Sequence, residues 1–483
     1  MKRTQEPVIS ELFVLQDPNL RWLSELHEHY PHSRSIYWHP GIDGRRSLER
    51  AMSMAERVIV QDHLVAPLAQ ESKIGVTGLS EFDPALARRV GTGLADDALR
   101  ADSNGVFPVP NGPVLFCPSN DTHTKLFEPI ARRLSSAAFL LHDERPEERA
   151  REMLETIGLP YREGGAQRLA EIRPSVIVVG NDWYEGAWRL FERAYALKIP
   201  TVCIQEGCLD FSTHRRMQWC DYPFVQGPIM LGHFRSPLYF LSGNPRFDSL
   251  SPLDLPGKPV SMLNCNFTYG VEEGAREEWV GAVSRACREL GIDYFISQHP
   301  RDRGEFPNHP VRPSHAGVVH EHLADSSILV TRFSTLVYEA LLTGRQVVYY
   351  NPHRETMRLF SEDETGGIYK ADDQESLAEA LAAASEPLTA VGKARRERFL
   401  ELHCGENDGR AAHRCAASFA ALAELASPRT GSAVVDWFGM WSHRRRTRLT
   451  REFRDRKNKV RRTLSPLKRR LLGNSRSRTG SRH

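Results

Sequence analysis

The clearest patterning lies in the middle of the chain, where short apolar runs alternate with segments of helical spacing. VLFCPSN, AAFLLHD, SVIVVG, TVCIQEG and YPFVQG each show three to five consecutive apolar positions closing on polar residues or glycine, as buried parallel strands do. Between them, Lys125 to Leu134, Pro146 to Ile157 and Gly186 to Leu197 carry apolar residues at helical intervals. A second series starts at VSMLNCNFTYG and continues through a helix over Glu277 to Leu290, YFIS, a short VVHE strand, ILVT with its helix, and QVVYY. GGIYKADDQESLAEALAAAS adds a strand and a helix with an Asp or Ser start signal, and RRERFLELH and AAHRCAASFAALAELA are helices expected to close this second unit. Such alternation of strand and helix predicts parallel sheets covered on both faces. The fold class is therefore α/β, with two Rossmann-like domains facing across a cleft.

The Gly- and Pro-rich passages SNGVFPVPNGP and FLSGNPRFDSLSPLDLPGKP divide the chain. Residues 1–110 are expected to be an accessory α/β region, 111–250 the first Rossmann-like domain, 251–426 the second, and 427–483 a separate tail. In that tail SAVVDWFGMW is followed by a run dense in arginine and lysine, with Leu449, Phe453, Val460, Leu464, Leu467 and Leu471 on one helical face. Two functional roles and one structural role fit such a basic amphipathic helix: the surface of an anionic membrane, a nucleic-acid backbone, or a solvated tail.

Composition changes this picture little. The 483 residues are 40% hydrophobic and 26% charged, as in soluble multidomain proteins. The net charge of +3 conceals a mildly acidic body and a basic tail. Eight scattered cysteines without a CxxC pair predict reduced thiols, and with no signal-like or membrane-spanning run the expected location is the cytosol. GxGxxG, the P-loop and GxSxG are missing, no strict DxD is present, and the histidine patches around His27 and His320 lack a ligand set, so no metal or cofactor is expected.

Candidate chemistry gathers at strand ends. His299, in SQHPRDRG with Arg301 beside it, follows one strand of the second unit, and Ser334 and Thr335 follow another, just before a helix. In a βαβ unit both fall at the carboxyl ends of the strands, where ligands bind. An imidazole and two hydroxyls there suit a diphosphate or phosphodiester; simple helix capping is the alternative for the Ser-Thr pair.

These motifs, His299-Pro300, RFSTLVYEALLTGRQVVYY, the IQEGC turn and the SGNPRFD linker, resemble those of GT-B glycosyltransferases that build bacterial surface polysaccharides. The likeness is to the polysialyltransferase and sialyltransferase type, the capsule Kdo-transferase type and the CDP-glycerol glycerophosphotransferases, over about Pro113 to Leu425. It implies an inverting, metal-independent transferase using a nucleotide-activated sugar, with a CMP-linked acidic sugar favoured, and a polysaccharide or lipid-linked acceptor. By that resemblance His299, Ser334 and Thr335 hold the donor phosphate and Glu339 a ribose hydroxyl. Gln205, Glu206 and Gly207 match the acidic acceptor-side motif in part, with Gln in the first acidic position, and Glu206 becomes the candidate base. Where glycerophosphotransferases carry a His, this chain has Glu206, which favours a sugar acceptor. Asp121, Asp143 and Asp182 are competing carboxylates at strand ends, and Asn264, Asn266 and Thr268 are further donor-side candidates. The lipid-linked acceptors of these enzymes favour the membrane as the tail's partner over nucleic acid, which places the chain peripherally at the inner face of the cell membrane. Same-fold alternatives are a glycerophosphotransferase, a UDP-sugar transferase or a nonhydrolysing UDP-sugar 2-epimerase; a non-catalytic polysaccharide- or membrane-binding partner is the alternative of another class.

Overall fold

The computed structural model describes residues 9–18, 20–69, 74–90, 99–142, 149–182, 184–208, 219–233, 236, 238–268, 272–315, 317–355 and 357–424. Asp143 and the whole aromatic and basic tail lie outside the described residues.

Eleven strands form the first sheet: β1 (Ile9–Leu15), β2 (Arg34–Tyr37), β3 (Ala55–Val60), β4 (Thr77–Gly78), β5 (Val114–Cys117), β6 (Ala137–Leu141), β7 (Tyr161–Glu163), β8 (Val176–Val179), β9 (Thr201–Ile204), β10 (Tyr222–Val225) and β11 (Tyr239–Leu241). Their spatial order is β4-β3-β1-β2-β11-β10-β9-β8-β5-β6-β7. The second sheet contains β12 (Val260–Cys265), β13 (Asp293–Gln298), β14 (Val311–Pro313), β15 (Ile328–Thr331), β16 (Gln346–Tyr350) and β17 (Tyr369–Ala371), ordered β14-β13-β12-β15-β16-β17. Every strand pairing among the described residues is parallel. Parallel strands need crossovers, and the helices predicted after VLFC, AAFLL, SVIVV, VSMLNC and ILVT supply five of them. The architecture is α/β, two parallel-sheet domains in the GT-B arrangement.

Two local readings are corrected. VVHE is not a strand: Val319–Ala324 is a helix, with Leu323 buried one turn after Val319, and the edge of the sheet is taken by β14 instead. Nor does AAHRCAASFAALAELA close the second domain. The helix Ala411–Glu424 packs into the core of the first sheet, where Phe419 meets Phe224 and Phe116 with ring centroids 5.0 and 6.2 Å apart. Its alanines let the helix approach that sheet closely, and the preceding helix, Ala390–Cys404, stays with the second domain's core through Phe399 and Leu400.

The strands of the first hundred residues extend the first sheet rather than forming one of their own. β2 pairs with β11 in the register Ile36 to Tyr239, and Tyr37 stacks on Phe240 at 4.7 Å. Among the described residues no helix is long and apolar enough to cross a membrane. The cysteines carry no disulfide, and all but Cys208 are buried.

The return crossing is held by the SGNPRFD linker. Asp248 accepts hydrogen bonds from the Ala411 and Ala412 amides, both at 2.8 Å, capping the returning helix. Arg414 is buried on the same helix, donating to the Ser242 carbonyl at 3.0 Å and to both Asp408 oxygens at 2.9 Å. Asp248→Ala is expected to lower stability by about 1–2 kcal/mol, read as a lower denaturant midpoint at unchanged slope.

Each sheet has a switch point. In the first, β5 lies between β6 and β8, and in the second β12 lies between β13 and β15. At such points the chain departs in opposite directions and leaves a crevice beyond the strand ends.

Candidate active site

The first crevice is built from the helix that follows β5. Asn120 caps Asp121–Ala131 by accepting from the His123 amide at 2.7 Å. His123, Leu126, Phe127 and Ile130 then fall on one face at i, i+3, i+4 and i+7 and are buried against the sheet. A histidine on that apolar face has to find polar partners. Its Nδ1 accepts from the Ser119 amide at 3.3 Å, with the Ser119 hydroxyl at 3.1 Å. Its Nε2 lies 2.6 Å from Glu206 Oε2, the histidine side chain 1% and the glutamate side chain 22% exposed. Gly180, the residue after β8, lets the imidazole in, since a Cβ there would lie 2.5 Å from the ring.

Glu206 sits on the turn after β9, which is held by Gln205 and by the linker. Gln205 is buried; it donates to the Gly207 carbonyl at 2.9 Å and accepts from the Gln226 amide at 3.0 Å. Asn244 and Arg246 of the linker both donate to the Glu206 carbonyl, at 3.3 and 3.4 Å. The turn then meets the second domain. Thr335 Oγ1 accepts from the Cys208 amide at 3.2 Å, and a Cβ on Gly207 would overlap that same hydroxyl.

On the second domain, Glu339 is buried rather than solvent-facing, and both of its carboxylate oxygens are engaged. Arg246 donates to Oε1 at 2.8 Å, and His320 Nε2 stands 2.6 Å from Oε2. Burial alone would raise this carboxyl, but Arg246, the hydrogen bond from His320 and the Lys125 charge hold it below the usual carboxylate value. Lys125 is itself pushed down by burial and by the Arg246 charge. Arg246 therefore joins the Glu206 turn to the Ser334-Thr335 helix in one polar cluster.

His299 follows β13, with Nδ1 accepting from the Arg301 amide at 3.2 Å. Burial pushes its imidazole below the usual histidine value, against the pull of the Asp302 and Asp121 carboxylates. Asp121 belongs to the first domain, so its field reaches His299 across the cleft. Asp302 is fixed behind by Arg276 at 2.6 Å and by the Gly304 amide at 2.9 Å. With Nδ1 accepting, the neutral ring carries its hydrogen on Nε2. Ser334 is half-buried and accepts from the Leu336 amide at 3.2 Å. Thr268 donates to Asn266 at 3.1 Å, and Asn266 donates to the Phe333 carbonyl at 3.4 Å, tying the β12 loop to the residue before Ser334. Asn264 accepts from Thr331 at 3.1 Å between neighbouring strands. Arg332 supports the same loop: it is buried, paired to Glu355 through two nitrogens, and donates to the Asn266 carbonyl at 3.2 Å.

The structure thus brings together Glu206, Gly207, Thr335 and Glu339, with Asp121 and His299 close enough to interact electrostatically. Two acceptor-side candidates are corrected. Asp182 is fully buried and accepts from the Trp219 amide at 2.9 Å, so its carboxylate serves the core. Gln205 likewise shapes the turn from beneath and offers no open group to an acceptor. His123, Arg246 and His320 were missed. Their signals were a histidine in phase with an apolar helix face, an arginine inside the linker motif, and a histidine in a segment read as a strand.

No family model and no curated protein matches the sequence. Among solved structures, the chain is similar to the UDP-GlcNAc 2-epimerase of Neisseria meningitidis bound to UDP-GlcNAc, with TM-score 0.42 and 13% identity over 62% of this chain and 97% of that one. It is also similar to a spinosyn forosaminyltransferase (0.42, 14% identity, 62% and 96%) and to the glycotransferase of kitacinnamycin (0.45, 12% identity, 65% and 98%).

Proposed function

We propose that this chain is an inverting, metal-independent glycosyltransferase that moves a sugar from a nucleotide donor to a surface-polysaccharide or lipid-linked acceptor. The observation that carries this reading is the Glu206 turn. A partly exposed carboxylate is held beside a buried imidazole, and the next two residues pack against the Ser334-Thr335 turn of the other domain. A base and a phosphate-binding loop on opposite walls of one cleft are what inverting transfer needs. The acceptor O–H bond breaks, and its proton passes to Glu206. The acceptor oxygen bonds to the anomeric carbon from one face as the bond to the donor phosphate breaks on the other, and the nucleotide departs with the electron pair.

In this reading the His299 Nε2–H and the Ser334 hydroxyl donate to the donor phosphate, with Arg301 nearby. Thr335 keeps the two walls in register, and Asn266 and Thr268 shape the donor loop. Glu339 reaches a ribose hydroxyl only if His320, the more exposed of its two partners, yields its place. The resemblance of the motifs favours a CMP-linked acidic sugar, and the basic tail supplies contact with an anionic membrane.

Thermal unfolding with CMP, CDP and UDP tests the donor side. A nucleotide at about 100 times its Kd stabilises by about 2.7 kcal/mol. Wild-type protein is expected to be stabilised by at least one of the three, and His299→Ala to lose most of that stabilisation. Stabilisation by UDP alone would change the donor class. Indifference to all three would sink the proposal.

A further inference from the structure

The two partners of Glu339 are of unequal kind. Arg246 belongs to the linker and its side chain is 14% exposed, whereas His320 lies on the Val319–Ala324 helix and its side chain is 44% exposed. We propose that Arg246 is a positioning residue for Glu339: it stays on the carboxylate when a ribose hydroxyl of the donor takes the place of His320, and it keeps the carboxylate aimed at that hydroxyl. This rests on reading the cleft as a nucleotide-donor site with Glu339 as its ribose contact.

Arg246 is anchored at both ends. Its backbone sits in the turn Pro245–Phe247 between two buried residues, and the Asn244 side chain accepts from its amide at 3.0 Å. Its guanidinium is a planar fork that can serve two acceptors at once: one nitrogen donates to Glu339 Oε1 at 2.8 Å and another to the Glu206 carbonyl at 3.4 Å. His320 takes the other oxygen, with Nε2 2.6 Å from Oε2. An ionised carboxylate offers about four lone-pair sites, so Oε2 becomes open to a ribose hydroxyl once His320 leaves, with Arg246 still in place.

Charge decides which partner can be spared. Burial drives the Glu339 carboxyl toward its neutral form, and the Arg246 charge is the foremost influence against this, ahead of His320 and Lys125. A ribose hydroxyl is neutral and can replace a hydrogen bond, but it cannot replace a cation. With Arg246 displaced instead, the buried carboxyl would lose its chief counter-charge and tend to take up a proton, which turns an acceptor into a donor.

The test measures, by calorimetric titration of the full chain, the Kd of CMP, CDP and UDP and of their 2′,3′-dideoxy forms. The ratio of the two Kd values for a nucleotide is its ribose preference. Wild type is expected to prefer the ribose form by about 10- to 100-fold, as a hydrogen bond to a charged group allows. Glu339→Gln and Arg246→Met should each lower that preference about tenfold, whereas Arg246→Lys, which keeps a cation for Oε1, should retain most of it. An unchanged preference in Arg246→Met, with both forms bound more weakly, would overturn the positioning role, because a residue that merely packs the walls together acts on both forms alike. Arg246→Met leaves a buried carboxylate without its cation; if it does not fold, the double variant Arg246→Met, Glu339→Gln removes both charges. Its two Kd values are expected to match those of Glu339→Gln alone, and weaker binding of both forms would assign Arg246 to packing and overturn the inference. A wild type that binds ribose and dideoxy forms equally would overturn it too, while leaving donor binding standing. A wild type that binds none of the nucleotides would overturn the proposed function, and the role of Arg246 with it.

Discussion

Glu206→Gln is expected to lower kcat by about 10²- to 10⁴-fold, the range that a positioned base contributes, while nucleotide stabilisation and donor KM stay at their wild-type values. The substitution is nearly isosteric. The carbonyl gripped by Asn244 and Arg246 belongs to the backbone and is unaffected. What disappears is the ability to take a proton. A fall in kcat without a change in KM separates a transition-state role from a ground-state one. Collapse of the turn would be detected as a lower Tm, or as lost nucleotide stabilisation through the Gly207 and Thr335 contact. Wild-type turnover in this variant would remove Glu206 as base. Asp121 would then be next in line, since it is partly exposed and its charge already acts on His299.

The sheets were legible because buried parallel strands write themselves as unbroken apolar runs, and SVIVVG or ILVT leave little else to conclude. Where the reading failed, the sequence carried the same signal for two outcomes. Val318-Val319 is as apolar as a strand start, and only the burial of Leu323 one turn later marks a helix. The helix Ala411–Glu424 is apolar on most of its circumference, which says that it is buried but not against which sheet. The same ambiguity governs the site. Glu206 and Asp182 are both acidic residues just beyond strand ends, yet one reaches the cleft and the other turns inward to the Trp219 amide. Motif resemblance singled out Glu206 and Gly207 but could not reveal that His123 stands behind the carboxylate. That pairing joins residues 83 positions apart through a crossover, and reading the first helix from Lys125 onward cut off its buried first turn.

Gly207→Ala is expected to cost nearly as much activity as loss of the base, by a steric route. A Cβ at this position would overlap Thr335 Oγ1 and lie 3.0 Å from both Thr335 Cβ and Cγ2. Neither partner can give way cheaply. The Glu206 carbonyl is held from the linker, the Gln205 side chain holds the Gly207 carbonyl, and Thr335 is the residue from which the Leu336–Leu342 helix departs. The two walls must therefore separate by an ångström or so, and a misplacement of about 1 Å at reacting atoms costs on the order of 10²-fold in rate. Thr335→Gly removes all three colliding atoms. The double variant Gly207→Ala, Thr335→Gly should then recover much of what Gly207→Ala loses, although Thr335→Gly alone, which removes the hydroxyl that accepts from the Cys208 amide, should be impaired. Such non-additivity is the signature of direct contact, and a double-mutant cycle on kcat/KM measures it. Independent, additive losses would mean that the Gln205-Glu206-Gly207 turn and the Ser334-Thr335 turn do not meet in the working enzyme.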